Sequence, residues 1–389
     1  MRELHAFLLP NGPRLVEAIQ DALAGGPAIL PLDPTLPASQ LETILTTLRP
    51  HKVVTRQGAL APPLPGIEVS PETGAVICTS GSTGRPKGVV LSTDALITSA
   101  SLTLQHLNAD HSMGWMCSLP AHYIAGFQII VRTLLCQAPL EIAQKFDTAL
   151  VARTPSAFIS VVPTMLTRLL DAEVDLSRFS RILLGGAPIP EQLRTRAERH
   201  GARLTSTYGM AETAGGCVYD GEPLPGVRIS TDYEDRIVIK SPTLATGYRL
   251  NAALTTQHFT DEGFHTADVG EITSDGHLRV RGRVDDVIIT GGIKVAAGEI
   301  GAVIAEYPGI QDVEIFGRHD DEWGQRVVAV ITTKTDVSFA DLRKAVATAL
   351  SPAHAPKELL IIDTLPELAS GKLDRIALRT LPVGQIWPK

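Results

Sequence analysis

The sequence has few of the features that mark several classes of protein. Among its 389 residues there are only four cysteines, Cys78, Cys117, Cys136 and Cys217, and none of them forms a C-x-x-C pair. A disulfide framework or a zinc site is therefore not expected, and we expect reduced, buried and inert thiols. There is no block of basic residues and the net charge is −7, so nucleic acid is a poor candidate partner and small ligands fit better.

Long apolar runs are scarce as well. The best candidate for a membrane span, FQIIVRTLLC at 127–136, is too short and contains Arg132. The opening residues, MRELHAFLLPNGPRL, place Glu3 and His5 before only a brief apolar run, which is not the pattern of a secretory signal. We therefore expect a cytoplasmic protein without membrane insertion. Hydrophobic residues make up 44% of the chain and charged residues 20%, as in ordinary soluble proteins, and the length allows two to three domains.

The order of apolar patterns predicts an α/β fold. Strand-like runs at 156–162 (SAFISVV) and 181–186 (RILLGG) are each followed by a helical pattern that opens near a proline, Pro163 or Pro190. Such alternation is typical of layered α/β sheets that are mostly parallel. After about Ser230 the pattern changes to paired strands, with a hairpin turn predicted at Asp275-Gly276.

These patterns predict two domains. Residues 1–284 form a large N-terminal domain of layered α/β sheets, with a β subdomain at about 220–284. Residues 285–389 form a small, mobile C-terminal domain with the order αββαβ, in which one helix begins after Ser338.

The segment TSGSTGRPKG, from Thr79 to Gly88, interrupts an apolar run with glycines, hydroxyls and one lysine. It is not a Walker A loop, because Pro86 precedes Lys87 and Gly88 follows it. Backbone N–H groups, four hydroxyls and the fixed cation of Lys87 suit the phosphates of a nucleotide. Composition alone leaves a solvated Gly/Ser turn as the alternative.

Five further blocks follow this segment in a fixed order. They are LGGAPIP (184–190), STYGMAET (206–213), GFHTADVGEI (263–272), GRVDDVIITGG (282–292) and SGKLDR (370–375). Together with TSGSTGRPKG they resemble the adenylate-forming superfamily, which includes acyl-CoA and aryl-CoA synthetases, luciferases and the adenylation domains of peptide synthetases. The resemblance implies ATP and CoA as co-substrates and Mg²⁺ as cofactor. It also implies a two-step reaction, in which a carboxylate attacks the α-phosphorus of ATP and a thiol then takes the acyl group.

The resemblance also assigns roles to residues of the nucleotide site. Those implied to bind ATP are Thr79, Ser80, Gly81, Ser82, Thr83, Gly84, Lys87, Gly186, Ala187, Tyr208, Gly209, Asp268 and Arg283. Glu212 is the implied magnesium ligand, Thr213 contacts the α-phosphate, and Lys372 is the catalytic lysine that bridges the α-phosphate and the attacking carboxylate. Taken without its block, each would more often be a surface charge or a structural residue.

The second half-reaction is implied to depend on a hinge. Asp285 resembles the residue about which the small domain turns, and Gly291 and Gly292 then line the channel for the thiol. An ordinary acidic turn at Asp285-Asp286 is the alternative.

The stretch LPAHYIAGFQIIVRTLL, at 119–135, resembles the acyl-pocket motif of o-succinylbenzoate-CoA ligases of menaquinone (vitamin K2) biosynthesis. The short actinobacterial type is the most similar, because the phosphate loop begins near residue 79 and the first subdomain is therefore trimmed. The second carboxylate of that substrate needs a cationic or strongly donating partner when it is buried. The implied acyl-site residues are His122, Gly126, Arg132, Ser206 and Thr207.

Several alternatives remain open from the sequence. Arg132 has a structural ion pair as its alternative role. Another aryl- or short-chain acyl-CoA synthetase, or an adenylation enzyme that loads a carrier protein, would carry the same blocks. A noncatalytic nucleotide-binding regulator is the alternative from a different class, although Lys372, Glu212 and Asp268 together argue against it. A homodimer is compatible with the sequence.

Overall fold

The structure is a computed structural model that describes residues 1–80, 86–368 and 373–387, without the side chains of Ser80 and Asp285. Its helices, in chain order, are α1 (Pro13–Leu23), α2 (Ala38–Leu48), α3 (Thr93–Leu107), α4 (Ile124–Cys136), α5 (Thr148–Arg153), α6 (Pro163–Asp171), α7 (Glu191–Arg199), α8 (Ala252–His258), α9 (Ala297–Ala305), α10 (Phe339–Ala349) and α11 (Arg375–Arg379). Short 3-10 turns lie at Ala211–Thr213 and Val284–Asp286.

The strands of the first half are β1 (Leu4–Phe7), β2 (Ala28–Pro31), β3 (Lys52–Thr55), β4 (Gly58–Leu60), β5 (Thr73–Ser80), β6 (Pro86–Ser92), β7 (Trp115–Cys117), β8 (Leu140–Ile142), β9 (Phe158–Val161), β10 (Arg181–Gly185), β11 (Leu204–Met210), β12 (Gly215–Tyr219) and β13 (Glu222–Pro223). Those of the second half are β14 (Arg228–Thr231), β15 (Arg236–Lys240), β16 (Gly247–Tyr248), β17 (Phe259–Thr260), β18 (Gly263–Ile272), β19 (Leu278–Arg283), β20 (Val287–Thr290), β21 (Ile293–Ala296), β22 (Ile310–Asp320), β23 (Gly324–Thr333), β24 (Glu358–Ile361) and β25 (Gln385–Ile386).

Two sheets with parallel centres confirm the predicted α/β layers. The first has the order β16-β6-β5-β2-β1-β3-β4, and the strands β3, β1, β2 and β5 run parallel. The second has the order β13-β12-β11-β10-β9-β7-β8, and its strands from β11 to β8 are parallel. The central strands of both sheets are almost wholly buried and apolar, as parallel strands covered on two faces require.

The remaining strands form two sheets that are mainly antiparallel. One has the order β14-β15-β18-β17 with β19 beside β18, and its predicted hairpin turn is present, with Gly276 at φ +86°. The other has the order β21-β20-β23-β24-β25 with β22 beside β23, and only the pair β23–β24 is parallel. The predicted αββαβ order is therefore confirmed in α9, β22, β23, α10 and β24.

Local sequence signals account for several helix boundaries. Pro163 opens α6, and Pro190 lies one residue ahead of α7. The Ser338 hydroxyl accepts a hydrogen bond from the N–H of Asp341 at 3.3 Å, so α10 begins where the sequence predicts. Asp147 caps α5 in the same way.

Internal contacts divide the chain into two compact units. The first comprises Met1–Ser230, Val238–His265 and Gly276–Leu278, and the second comprises Thr231–Ile237, Thr266–Asp275 and Arg279–Lys389. Each has an apolar core of its own: Leu4, Leu30 and Val53 belong to one in the first unit, and Ile300, Val327 and Leu342 to one in the second. The predicted boundary at residue 284 stays a prediction.

All four cysteines are free thiols, as expected. Cys117 and Cys217 are buried, and burial raises the pKa of each to about 12. Cys78 and Cys136 are only half-buried, which departs from the expectation of full burial; burial raises the pKa of Cys78 to about 11. Over the described residues, no helix is both long enough and apolar enough to cross a bilayer.

Candidate active site

One edge of the second sheet gathers several of the predicted site residues of the first unit. Because β7, β9, β10 and β11 are parallel, their carboxyl ends meet at the same edge. The segment with His122 follows β7, Gly186 and Ala187 follow β10, and Glu212 follows β11. Ligands of open α/β sheets bind at this kind of edge.

The predicted phosphate loop joins β5 to β6, which are antiparallel, with Thr79 opposite Lys87. Gly81, Ser82, Thr83 and Gly84 lie outside the described residues, as do Lys372 and the side chains of Ser80 and Asp285. Lys87, at the start of β6, directs its ammonium group to a point 5.7 Å from the centre of the Tyr248 ring. This distance is within the range of a cation–π contact.

Glu212 lies in the 3-10 turn that follows β11 and is half-buried. The Tyr248 hydroxyl donates a hydrogen bond of 2.9 Å to its Oε1 atom. Burial, and then the Glu212 carboxylate, raise the pKa of Tyr248, so the phenol remains a donor. In the described part of the chain, no cluster of three or more His, Cys, Asp or Glu side chains could hold a metal ion. A single carboxylate suits Mg²⁺, which takes its other ligands from phosphates and water.

The Thr213 side chain is placed differently from the expectation. It is fully buried, and its hydroxyl donates to the Gly215 carbonyl at 2.7 Å and accepts from the Met210 N–H at 2.9 Å. The hydroxyl therefore stabilises the turn that carries Glu212, and it is not open to a phosphate here.

The residues predicted for the adenine site lie on neighbouring strand ends. Gly186 and Ala187 are exposed just beyond β10, and Tyr208 is half-buried near the end of β11. Gly209 lies where β11 and β12 approach so closely that a Cβ atom would clash with the Gly215 carbonyl. The chain reverses here over a β-bulge.

His122 is largely buried on the segment that follows β7. Its Nε2 atom lies 3.9 Å from the Asp33 carboxylate and has no hydrogen-bond partner in the described part of the chain. Burial lowers the pKa of His122 and outweighs the opposing effect of Asp33, so the ring is neutral at pH 7. Asn11 fixes this segment, because its amide donates to the Leu119 carbonyl at 2.9 Å and accepts from the Ala121 N–H at 2.9 Å.

Arg132 lies on α4 with only 4% of its surface exposed. Its guanidinium is 5.3 Å from the Trp115 ring. Among the described residues, its Nε has no hydrogen-bond partner and no carboxylate pairs with it. Burial lowers the pKa of Arg132, although an arginine remains charged. The structural ion pair considered as an alternative is thus not present among these residues.

More buried polar atoms without partners lie in the same region. Besides the atoms of His122 and Arg132, the described chain has four such atoms on α4, β7, β9 and the residue after β7. They are Gln128 Oε1, Trp115 Nε1, Ser160 Oγ and Ser118 Oγ, respectively. A buried polar group without a partner is costly and calls for an explanation such as an absent ligand or water. The concentration of such atoms around α4 supports the explanation that a ligand or water binds there.

The remaining acyl-site candidates have partners within the fold. The Ser206 hydroxyl donates to the Asp220 carboxylate at 2.8 Å, and the Thr207 hydroxyl points to the Leu184 carbonyl at 3.5 Å. Gly126, near the start of α4, allows close backbone approach, because a Cβ atom would clash with the Pro120 and Leu119 carbonyls.

In the second unit, the structure brings Asp268 and Arg283 together. Arg283 Nη1 lies 3.1 Å from Asp268 Oδ1, and Asp268 is 9% exposed. Gly291 and Gly292 form the turn between β20 and β21 at φ +58° and +77°, which favours glycine. The Gly291 N–H donates to the Trp323 carbonyl at 2.9 Å.

An ion cluster lies at the start of α11. Arg375, three residues beyond Lys372, contacts both oxygens of Asp286 at 2.8 and 2.9 Å, and its Nε is 3.0 Å from Glu314. Burial raises the pKa of Glu314, while Arg375 opposes the rise. Asp374 caps α11, and its N–H donates to the Pro366 carbonyl at 2.8 Å.

Sequence reasoning missed Tyr248, Asn11 and Asp33. Tyr248 ends a strand of two residues, which is too short to show a period. A buried Asn or a half-buried Asp near the N-terminus belongs to no motif. Only the fold brings Tyr248 to Glu212, Asn11 to Leu119 and Asp33 to His122.

The fold and the ordered sequence blocks define an adenylate-forming enzyme. Two family models match: "AMP-binding enzyme" over residues 62–248 and "AMP-binding enzyme C-terminal domain" over residues 299–372. The "Probable 2-succinylbenzoate–CoA ligase" of Mycobacterium tuberculosis is 35% identical over 97% of both chains. The 2-succinylbenzoate–CoA ligase of Listeria monocytogenes is 32% identical over 78% of this chain and 69% of its own. The chain belongs to the AMP-binding enzyme family.

Solved structures agree with this fold. The o-succinylbenzoate CoA synthetase of Bacillus subtilis in complex with the acyl-adenylate OSB-AMP aligns with a TM-score of 0.86 at 24% identity, over 99% of this chain and 89% of its own. E. coli MenE with bound OSB-AMS aligns with a TM-score of 0.83 at 27% identity, over 97% and 87% of the two chains. ATP-bound MatB from Rhodopseudomonas palustris also scores 0.86, at 23% identity over 97% and 88% of the chains.

Proposed function

We propose that the protein is an AMP-forming acid–thiol ligase that joins 2-succinylbenzoate to CoA at the expense of ATP. In the first step a carboxylate oxygen attacks the α-phosphorus, the bond to the β-phosphate breaks, and acyl-adenylate and pyrophosphate form. In the second step the CoA thiolate attacks the acyl carbon and AMP leaves. The names of the M. tuberculosis and L. monocytogenes relatives support this choice of acid.

The observation that carries the proposal is the buried guanidinium of Arg132 without a carboxylate partner among the described residues. A buried charge is costly unless it is paired. 2-Succinylbenzoate has two carboxylates, and only one of them is activated. We infer that the other pairs with Arg132, while the neutral His122 lines the same pocket and the apolar faces of α4 contact the ring.

The first half-reaction joins two anions, so neutralisation of charge dominates it. We assign Lys87 to the β- and γ-phosphates, and Asp268 and Arg283 to the ribose. Glu212 would hold Mg²⁺, which when bound supplies further neutralisation of the phosphoryl oxygens. Lys372 is assigned to the α-phosphate and the attacking carboxylate.

The second half-reaction is assigned to the hinge at Asp285 and to the glycine turn at Gly291 and Gly292, which would border the path of the thiol. A cytoplasmic location and a homodimer stay predictions. An enzyme of this class works on small molecules, so neither nucleic acid nor a membrane is required.

Pyrophosphate release tests the proposal. The purified chain is given ATP and Mg²⁺ with 2-succinylbenzoate, benzoate, fatty acids or amino acids in turn, and CoA is added afterwards. We expect pyrophosphate with 2-succinylbenzoate and conversion to the thioester on addition of CoA. Turnover of benzoate or fatty acids with none of 2-succinylbenzoate would refute the choice of acid, and ATP binding without any turnover would favour a regulator.

A further inference from the structure

Two opposite charges of the nucleotide site do not pair with each other. Lys87 and Glu212 form no ion pair, although the same residue, Tyr248, contacts both. Opposite charges near a protein surface attract each other. Two such side chains that contact a common neighbour would therefore tend to pair unless something holds them apart.

Tyr248 contacts both side chains and can hold Lys87 and Glu212 apart. Its hydroxyl bonds to Glu212 Oε1 at 2.9 Å, and the face of its ring is 5.7 Å from the Lys87 ammonium. One end of the side chain thus meets the anion and the ring meets the cation, with the aromatic body between the two contacts. The second oxygen of Glu212, Oε2, accepts no hydrogen bond from the described residues.

Tyr248 is itself held firmly. It is 6% exposed, and its N–H donates to the Thr255 hydroxyl at 2.9 Å. Phe259 and His258 contact its ring edge to face, at centroid distances of 5.6 and 6.0 Å. A side chain confined in this way offers its hydroxyl in one direction.

The short segment 245–248, which contains Tyr248, also bonds to the backbone near Lys87 and to the backbone of Glu212. Tyr248 pairs with Val89 of β6, two residues beyond Lys87, and the Ala245 N–H donates to the Glu212 carbonyl at 2.8 Å. The positions of Lys87 and Glu212 are therefore both set by residues 245–248.

We propose that Tyr248 is a positioning residue that holds Glu212 and Lys87 apart and leaves one oxygen of Glu212 free for the metal of a bound magnesium nucleotide. This inference rests on the roles that the proposed function gives to Glu212 and Lys87. Tyr248 acts through Glu212 and need not touch the substrate.

Binding of Mn²⁺ tests the inference without any acyl substrate. Electron paramagnetic resonance measures the affinity of Mn²⁺ for the full chain in complex with α,β-methylene ATP, which cannot undergo the first step. Loss of a group that orients a metal ligand typically weakens binding by about 10- to 100-fold. We expect a weakening in that range for Tyr248→Phe, which keeps the ring.

Tyr219 supplies a matched control. Its hydroxyl is also buried and bonded to one side chain, Thr103, at 2.9 Å, so Tyr219→Phe loses a similar hydrogen bond elsewhere in the first unit. We expect no change in Mn²⁺ affinity for Tyr219→Phe. Equal weakening in both variants would show a general loss of structure and overturn the inference.

Glu212→Gln completes the set. If Tyr248 acts through Glu212, the double variant Tyr248→Phe/Glu212→Gln binds Mn²⁺ no more weakly than Glu212→Gln alone. Weakening by Glu212→Gln but not by Tyr248→Phe refutes the inference and leaves the proposed function intact. Unchanged affinity in Glu212→Gln removes the metal assignment itself, and with it the role of Tyr248.

Discussion

At the scale of single residues, Arg132 combines a structural cost with the role that we propose for it in binding the acid. A buried cation without a partner does not stabilise a fold, and its replacement by an apolar side chain of similar size is often neutral or stabilising. A ligand that pairs with the guanidinium inside α4 would offset this cost.

This reasoning predicts opposite effects of Arg132→Met on stability and on substrate binding. The melting temperature should stay the same or rise. The KM for 2-succinylbenzoate should rise by at least about 30-fold, since truncation of one partner of a buried charge pair costs about 2–5 kcal/mol. The KM for ATP should not change. Thermal unfolding and steady-state kinetics of the same preparation measure all three quantities.

Arg249→Met is the control for this prediction. Arg249 is 7% exposed, and its guanidinium donates to the backbone carbonyls of Leu48, Arg49, Ile67 and Glu68. Its replacement leaves buried acceptors without donors and should lower the melting temperature. A similar loss of stability in Arg132→Met, with an unchanged KM for the acid, would mean that Arg132 is structural.

At the scale of elements, the short helix α11 depends on the cluster of Arg375, Asp286 and Glu314. Arg375 joins the start of α11 to β22, which carries Glu314, and to the 3-10 turn that carries Asp286. In the sequence this helix begins three residues after Lys372, so the cluster fixes the chain just beyond that lysine relative to Asp286.

Arg375→Met should therefore slow adenylate formation by more than thioester formation from supplied acyl-adenylate, with a difference of about 10-fold or more, which corresponds to about 1.4 kcal/mol. Rapid-quench assays of the two half-reactions measure the ratio. Ile376→Ala, at a position of the same helix where the side chain is 70% exposed, is the control and should leave the ratio unchanged. Equal slowing of both half-reactions in Arg375→Met would contradict a positioning role.

The same variant has a predicted pH dependence. Burial already raises the pKa of Glu314 above its value in the unfolded chain, so the native state binds more protons than the unfolded state between the two pKa values. Stability therefore falls as the pH rises through that window. Loss of Arg375 raises the folded pKa further and should steepen the fall, which urea unfolding at pH 4 to 7 would show. An unchanged slope would mean that Arg375 does not offset the burial of Glu314.

At the scale of the whole molecule, the sequence predicted the layers but not the contacts that complete the site. Alternating strands and helices specified the parallel sheets, and the capped helix after Ser338 and the hairpin at Asp275-Gly276 were visible because each depends on nearby residues. Tyr248 and Asn11 were not visible. Their roles depend on partners 36 and 110 residues away, and no local pattern encodes such a pairing.

Thr213 is the opposite case, a residue that the sequence singled out but whose contacts differ from the expected ones. Its motif indicates a phosphate contact, whereas its hydroxyl is buried in the turn that presents Glu212. The motif predicts a role for Thr213 at the site, and only the hydrogen-bond geometry shows that its hydroxyl is bonded within the turn.

The division into two half-reactions leads to the last prediction, which concerns the hinge. The small domain is proposed to turn about Asp285, which withdraws Lys372 and admits the thiol. A substitution at Lys372 and a substitution at Asp285 should then affect different steps. Lys372→Ala should lower adenylate formation by at least about 100-fold, the usual cost of removing one group that stabilises transition-state charge. It should leave thioester formation from supplied acyl-adenylate near normal.

Asp285→Pro acts on the motion instead of the chemistry, because proline fixes φ near −65° and removes a rotation that the hinge requires. We expect one half-reaction to persist and the other to fail, according to the arrangement in which the domain is held. Single-turnover assays of each half-reaction, with intact folding confirmed by circular dichroism, distinguish the outcomes. Equal loss of both half-reactions in Asp285→Pro would count against alternation, because a fixed arrangement of the domains should still support the step for which it is suited.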